Sequence, residues 1–281
     1  MSRARRRQHV PWNAAGRASE TQGDGDSVVR DTGWVFNNET GQQLTLAEFV
    51  NSGEQEVGAY LQYFGFLPEE NAQRSLVEIG AGIGRMTAGF SQRFKSVVAC
   101  DLDAAFLERC REAVGKFGVP ERLSTSHVAD GKTLALPDAS ADMVFSYITL
   151  QHCESADALA LTVEALRVVK PGGYVLLNYR TWVAADLLLF PAGVMTRALW
   201  RVPTIGAWLA RQRWSTRLGW QANRLTPKVV LDHLASRKIE LLSPTLWFNH
   251  RRRIGGVDGI PQCTFIGVHG SHWWLIARRA A

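Results

Sequence analysis

Three carboxylates stand at regular stations in the first half of this chain. Glu78 lies two residues before a GxGxG loop made by Gly80, Gly82 and Gly84, Asp101 closes the stretch "VVACD", and Asp130 closes "HVAD". A glycine loop after the apolar run "LVEI" and before "GRMTAGF" lets the backbone approach an adenosine ligand closely. The dinucleotide fingerprint would place its third glycine at position 85, where Arg85 stands. A carboxylate at 78 would repel a pyrophosphate and attract an ammonium or a sulfonium. Asp101 follows Gly80 by 21 residues, the usual station of an acid that accepts hydrogen bonds from ribose hydroxyls. Asp130 is placed to accept from an adenine amino group. With no Walker lysine motif in the chain, these residues point to S-adenosyl-L-methionine.

Strands and helices must alternate to bring the three acids together. "SLVEIG", "SVVACD", "LSTSHVAD", "ADMVFSY" and "GYVLLNYR" read as strands, with "GRMTAGFSQRF", "DAAFLERCREAVGKF" and "ADALALTVEALRVV" as the helices among them. That order predicts βαβ units, a parallel sheet, and a ligand at the carboxyl ends of its strands. "KPGGY" at 170–174 reads as a helix stop and turn. Downstream, "TPKVVLDHLAS" is expected as a helix, and "IELLSPTLWF" and "HWWLIARR" as strands.

Four blocks, "VEIGAGIGR", "VVACDLD", "VADGKTLALPDASADMVFSYITLQH" and "EALRVVKPGGYVLLN", resemble the class I S-adenosylmethionine-dependent methyltransferases in the family's own order, from about Arg74 to Arg180. The resemblance implies an α/β, Rossmann-like, seven-stranded and mostly parallel sheet whose last strand is antiparallel, with helices on both faces. It implies that Glu78 and Gly80 serve the methionine part of the cofactor, Asp101 the ribose, Asp130 with Gly131 the adenine, and Ser146 the methionine amino group. Ala81, Gly82, Gly84 and Leu102 are expected at the cofactor with them, and S-adenosyl-L-homocysteine is the expected product.

The chain of 281 residues, 46% apolar, then divides into five parts. A basic unstructured tail (1–30) precedes an N-terminal helical segment (31–72) and the cofactor-binding core (73–181). An inserted cap (182–222) and the C-terminal part of the sheet (223–281) follow. Charge divides with them. Residues 31–180 carry 12 Arg and Lys against 19 Asp and Glu, whereas 181–281 carry 14 against four, with eight of the ten tryptophans. The two regions are expected to do different work.

His152 in "TLQHC" is the candidate general base, since an imidazole after the fourth strand titrates near neutral pH and can accept a hydroxyl proton. Tyr147 and Tyr179 are candidate pocket residues. Trp182, Trp200, Trp208 and Arg201 offer aromatic faces and a cation for an acceptor. The expected reaction is O-methylation of a small-molecule or glycan hydroxyl, lipid-linked or anionic. RNA or protein N-methylation, with phosphate contacts from "NHRRRIGG", is the alternative, and a non-catalytic cofactor-binding protein is a third reading. Nucleic acid is the less favoured partner, and the basic, tryptophan-rich stretch also suits a peripheral membrane contact. Its longest uncharged run, Leu187 to Thr196, falls short of the roughly 20 residues a bilayer span needs. No apolar run follows the basic start, so a cytoplasmic location is expected. The four cysteines show no CxxC pairing, and His233, His250, His269 and His272 lack ligand spacing, so no metal is expected.

Overall fold

A computed structural model describes residues 10–36, 44–209, 212–220, 222–249, 256–267 and 269–280. The chain falls into two compact units, 1–135 and 136–281. The first comprises α1 (Val10–Thr21), α2 (Gly25–Phe36), α3 (Leu46–Tyr63), α4 (Pro68–Asn71), β1 (Ser75–Ile79), α5 (Thr87–Arg93), β2 (Ser96–Asp101), α6 (Ala104–Phe117) and β3 (Leu123–His127). Its strands are parallel, in the order β3-β2-β1. From Leu76 to Ile79 every residue of β1 is buried, which accounts for its unbroken apolar character apart from Glu78.

Residues 10–30, expected as an unstructured tail, are a correction in their described part, because α1 and the start of α2 lie there. The composition looked polar, but Ala15, Val28, Val29 and Val35 are buried in one cluster with Phe49, Ile83, Phe106 and Val114. Polar contacts add to this. Arg109 of α6 donates to the backbone carbonyls of Ser19 and Gln22, and the Leu46 amide donates to Asp26 at 2.6 Å. Each contact spans at least 20 residues, beyond the reach of local periodicity. Residues 1–9 of the expected tail lie outside the described residues.

The helical segment before β1 is present and buttresses the glycine loop. α3 begins with a capping box, in which Thr45 accepts from the Glu48 amide while the Glu48 carboxylate accepts from the Thr45 amide. Midway along α3, Gly53 lies against the backbone of Arg85. A Cβ at Gly53 would stand 2.1 Å from the Arg85 carbonyl oxygen, so only glycine lets helix and loop meet.

The second unit comprises β4 (Ala141–Ser146), α7 (Ser155–Val168), β5 (Val169–Arg180), α8 (Asp186–Leu199), α9 (Pro203–Leu209), α10 (Arg213–Gly219), α11 (Pro227–Ser236), β6 (Leu241–Asn249), β7 (Gln262–Phe265) and β8 (His272–Arg279). Its strand order is β4-β5-β8-β6-β7. β8 runs antiparallel to β5 and β6, as expected of the last strand, while β4 with β5 and β6 with β7 are parallel. The α/β, mostly parallel Rossmann-like class holds, with eight strands described in place of the expected seven. The extra one is β7, a four-residue piece "QCTF" too short and polar to show an alternating pattern. "KPGGY" lies within β5 and bulges out of its pairing, since Ala141 aligns with Val169 but Met143 with Tyr174.

Candidate active site

In the first unit the GxGxG loop is built on left-handed backbone. Gly80, Gly82 and Gly84 have φ of 84°, 54° and 90°. The Gly80 and Ala81 amides both donate to the Cys100 carbonyl, at 2.8 and 3.1 Å, so the loop turns over the end of β2. A side chain at Gly84 would combine a forbidden φ with a Cβ 3.0 Å from the Cα of Cys110.

Glu78 and Asp101 stand together at this loop. Glu78 is buried, and its Oε2 accepts from the Thr87 hydroxyl at 2.6 Å. Burial pushes its carboxyl up to about 7, against the opposing effects of the Thr87 hydrogen bond and Arg85, with Asp101 adding to the rise. Asp101 accepts from the Gly82 amide at 2.8 Å and from the Asp103 amide at 3.0 Å. Burial still outweighs both bonds and raises it to about 6. Two carboxylates raised by desolvation at a left-handed glycine loop are poorly suited to an anion, and a cation beside Glu78 would favour its charged form. That fits S-adenosylmethionine, whose sulfonium and ammonium Glu78 would face and whose ribose hydroxyls Asp101 would accept from.

Asp130 behaves differently. It is exposed, and it closes the turn after β3 by accepting from the Lys132 and Thr133 amides at 2.9 and 2.8 Å and from the Thr133 hydroxyl at 2.7 Å. Partial burial would raise it, but these bonds prevail and hold it below the ordinary value. Gly131 follows with φ 74°, and Leu102 is half-buried. Cys100 and Cys110 are buried thiols pushed up to about 12 by burial, inert core side chains. Among the described residues no cluster of His, Cys, Asp and Glu could hold a metal.

In the second unit the residues expected at the acceptor divide. Ser146 is fully buried at the end of β4. Tyr179 is also buried, stacked on Trp273 with ring centroids 4.7 Å apart, and its hydroxyl is 2.8 Å from that of Thr162 on α7. It thus packs β5 against a helix. Tyr147 is stacked on Trp274. Between Tyr147 and His152, Ile148 takes φ 54°, a left-handed conformation that is costly for a β-branched residue; its amide donates to Asn178 Oδ1 at 3.4 Å.

His152 is half-buried and oriented from two sides. Its Nδ1 lies 2.9 Å from the Trp220 carbonyl, and its ring stacks on the Trp220 indole at 5.4 Å and 11°. A carbonyl only accepts, so Nδ1 carries the proton and Nε2 the lone pair, with the Gln151 side-chain amide 3.3 Å away. The end of the insert and the residue after it strap this turn in place. The Ala222 amide donates to the Gln151 carbonyl at 2.9 Å, and Asn223 Nδ2 donates to the Leu150 and Cys153 carbonyls at 2.6 and 2.8 Å.

Sequence reasoning missed a second cluster in this unit. Asp186, fully buried, accepts from Arg180 Nη1 at 3.1 Å and Arg224 Nη2 at 2.9 Å, and its other oxygen accepts from the Val183 amide at 3.0 Å. Two buried guanidiniums thus share one carboxylate. Burial, then the proximity of Arg224, lowers Arg180 to about 10. Arg224 Nε is buried with no hydrogen-bond partner among the described residues, as is Nδ1 of His272. Burial first, then His269, Arg180, His152 and Arg224, keep the His272 imidazole neutral. In the sequence Arg180, Asp186, Arg224 and His272 are separated by up to 92 residues, and no spacing joins them.

Of the expected substrate residues, Trp200 is buried with its Nε1 donating to Ser215 Oγ at 3.0 Å, so it forms part of the core of the insert. Trp182, Trp208 and Arg201 are exposed. Residues 250–255 of "NHRRRIGG" lie outside the described residues.

Comparison with known proteins bears on the first unit and the start of the second. A family model for the methyltransferase domain matches residues 77–177. The chain is 31% identical over 117 residues to carboxy-S-adenosyl-L-methionine synthase of Pseudomonas putida (strain W619), covering 40% of this chain and 47% of that protein. It is 36% identical over 110 residues to malonyl-[acyl-carrier protein] O-methyltransferase of Marinomonas sp. (strain MWYL1), covering 37% of each. The match therefore spans less than half the length of either relative. Magnesium protoporphyrin IX methyltransferase from Synechocystis PCC 6803, solved with bound SAH, shares the fold with a TM-score of 0.53 at 14% identity, over 91% of this chain and 98% of that one. With the four motif blocks, the acids at the glycine loop and the matched segment in agreement, the chain carries a class I S-adenosylmethionine-dependent methyltransferase domain, and S-adenosylmethionine is its cofactor.

Proposed function

We propose that this chain methylates an oxygen of a small-molecule or glycan acceptor that bears an anionic group, with His152 as general base. The observation that carries the reading is the tautomer of His152, whose Nδ1 proton is held by the Trp220 carbonyl so that Nε2 presents a lone pair. S-adenosylmethionine supplies an electrophilic methyl carbon on a sulfonium. A hydroxyl acceptor must lose its proton as it reacts, and Nε2 takes it once the Gln151 amide gives way. The imidazolium so formed keeps its Nδ1 bond to Trp220, which fixes the ring plane during the transfer.

The Arg180 and Arg224 pair supports an anionic acceptor. Two buried positive charges against one negative leave an excess that a carboxylate or phosphate would offset, and a guanidinium fork binds either in two-point fashion. The O-methyltransferase named above acts on a malonyl group, which also carries an acid.

The test is incubation of the purified chain with methyl-labelled cofactor and fractionated cell extract, for wild type and His152→Ala. Base-stable, ether-type label in an anionic small molecule or glycan is expected, reduced about 10²- to 10⁴-fold in the variant with cofactor affinity kept. Label confined to RNA or protein would overturn the reading in favour of N-methylation.

A further inference from the structure

α8 is turned the opposite way from an ordinary surface helix. Its inward side carries Asp186, Gly193 and Thr196, all buried. A Cβ at Gly193 would stand 2.4 Å from the Leu218 carbonyl oxygen, so this side is packed on α10. The outward side carries Leu187, Leu188, Pro191, Val194, Met195 and Leu199, all exposed, with Leu188 at 81% and Met195 at 67%. At 100° per residue these six fill an arc of roughly 140° with no charged or hydrogen-bonding side chain in it. Solvated helices place such an arc inward, and an exposed one marks a contact surface. Ile205, Trp208 and Trp214 on the next two helices are also exposed.

Charge identifies the partner. From Leu187 to Leu231 the chain contains seven Arg and Lys and no Asp or Glu; Arg224 and Lys228 pair with Asp186 and Asp232 just outside that stretch, and the other five are arginines. Arg201, just past the end of α8, and Arg217, on α10, are both exposed. Self-association through this face would bring two cationic segments together, whereas an anionic lipid surface offers acyl chains to the leucines and phosphates to the arginines. Exposed tryptophans such as Trp208 and Trp214 suit the headgroup level of a bilayer. Among the described residues no helix is long and apolar enough to cross a membrane. We infer that the α8 face docks the protein in the interface plane of an anionic bilayer. This inference stands independently of the acceptor proposed above.

Sedimentation of the full chain with vesicles of phosphatidylcholine containing a third phosphatidylglycerol tests it. Binding is expected, weaker by about tenfold on pure phosphatidylcholine or in half-molar salt, with a blue shift of tryptophan emission on the anionic vesicles. The double variant L188D/M195D should lose binding by at least about tenfold while keeping its melting temperature and cofactor affinity, since both side chains face solvent. R201E, which leaves the apolar arc intact, should weaken binding to anionic vesicles only. The inference fails if the chain does not bind anionic vesicles at low salt, if L188D/M195D binds like wild type, or if light scattering shows a dimer that the same double variant abolishes. Failure on vesicles with methyl transfer intact would leave the proposed reaction standing. Vesicle binding without transfer would do the reverse.

Discussion

Glu78, the penultimate residue of β1, and Asp186, the first residue of α8, are both buried carboxylates, and their surroundings are electrostatic opposites. Glu78 has a hydroxyl for a partner and is pushed up to about 7 by burial. Asp186 is also buried, but the hydrogen bonds and charges of Arg224 and Arg180, with the Val183 amide, overcome that burial and hold it below the ordinary carboxylate range. A carboxylate left without compensation is a site prepared for a cation, and one already compensated is a structural tie. The surplus in that tie is positive, and the proposed anionic acceptor rests on it.

The same chemical change, acid to amide, should therefore act in opposite directions at the two positions. Asp186→Asn leaves two guanidiniums buried without a counter-charge and is expected to cost about 3–5 kcal/mol, read as a fall in denaturant midpoint. Glu78→Gln removes a desolvated charge and should stabilise the unliganded protein by on the order of 3 kcal/mol at pH 8 while weakening cofactor binding by about tenfold or more. Destabilisation by both amides would break the contrast. The pH dependence sharpens it. The folded-state value of Glu78 lies above its ordinary value of 4.5, so below that value the group contributes nothing. Its penalty grows as pH rises toward 7 and then levels. A cationic ligand relieves that penalty, so cofactor affinity should rise with pH over the same window and flatten above it. Equal dissociation constants at pH 5.5 and 8, measured by calorimetry in buffers of matched ionic strength, would show that Glu78 does not meet the cation.

Smaller effects test the frame around the two acids. Gly84→Ala places a side chain at φ 90° against α6 and should cost about 1–3 kcal/mol in thermal unfolding, with cofactor affinity falling alongside. Trp208→Ala, at an exposed position, should change stability by less than about 0.5 kcal/mol. Its effect should appear instead in vesicle binding.

The alternation of strand and helix, the glycine loop, and Glu78 and Asp101 at strand ends were legible because each is local. A strand's apolar run, a turn's glycine and an acid just before or after them lie within a dozen residues of one another. α1 and α2 were not legible, because their buried valines are too few to show a period and their order depends on Arg109 and Phe49. Tyr179 looked like a pocket residue from its place near a strand end, but alternation along β5 turns its hydroxyl to Thr162.

The sequence by itself determined the class of cofactor, because a cation requires carboxylates and a glycine loop requires glycine at positive φ, and both are properties of single residues at fixed spacing. Tertiary structure alone decided the rest. The lone pair on His152 depends on a carbonyl 68 residues away, the charge surplus depends on three side chains from separate segments, and the outward face of α8 depends on which side of that helix meets α10. Long-range contacts such as these set protonation, net buried charge and exposure, which no local pattern encodes.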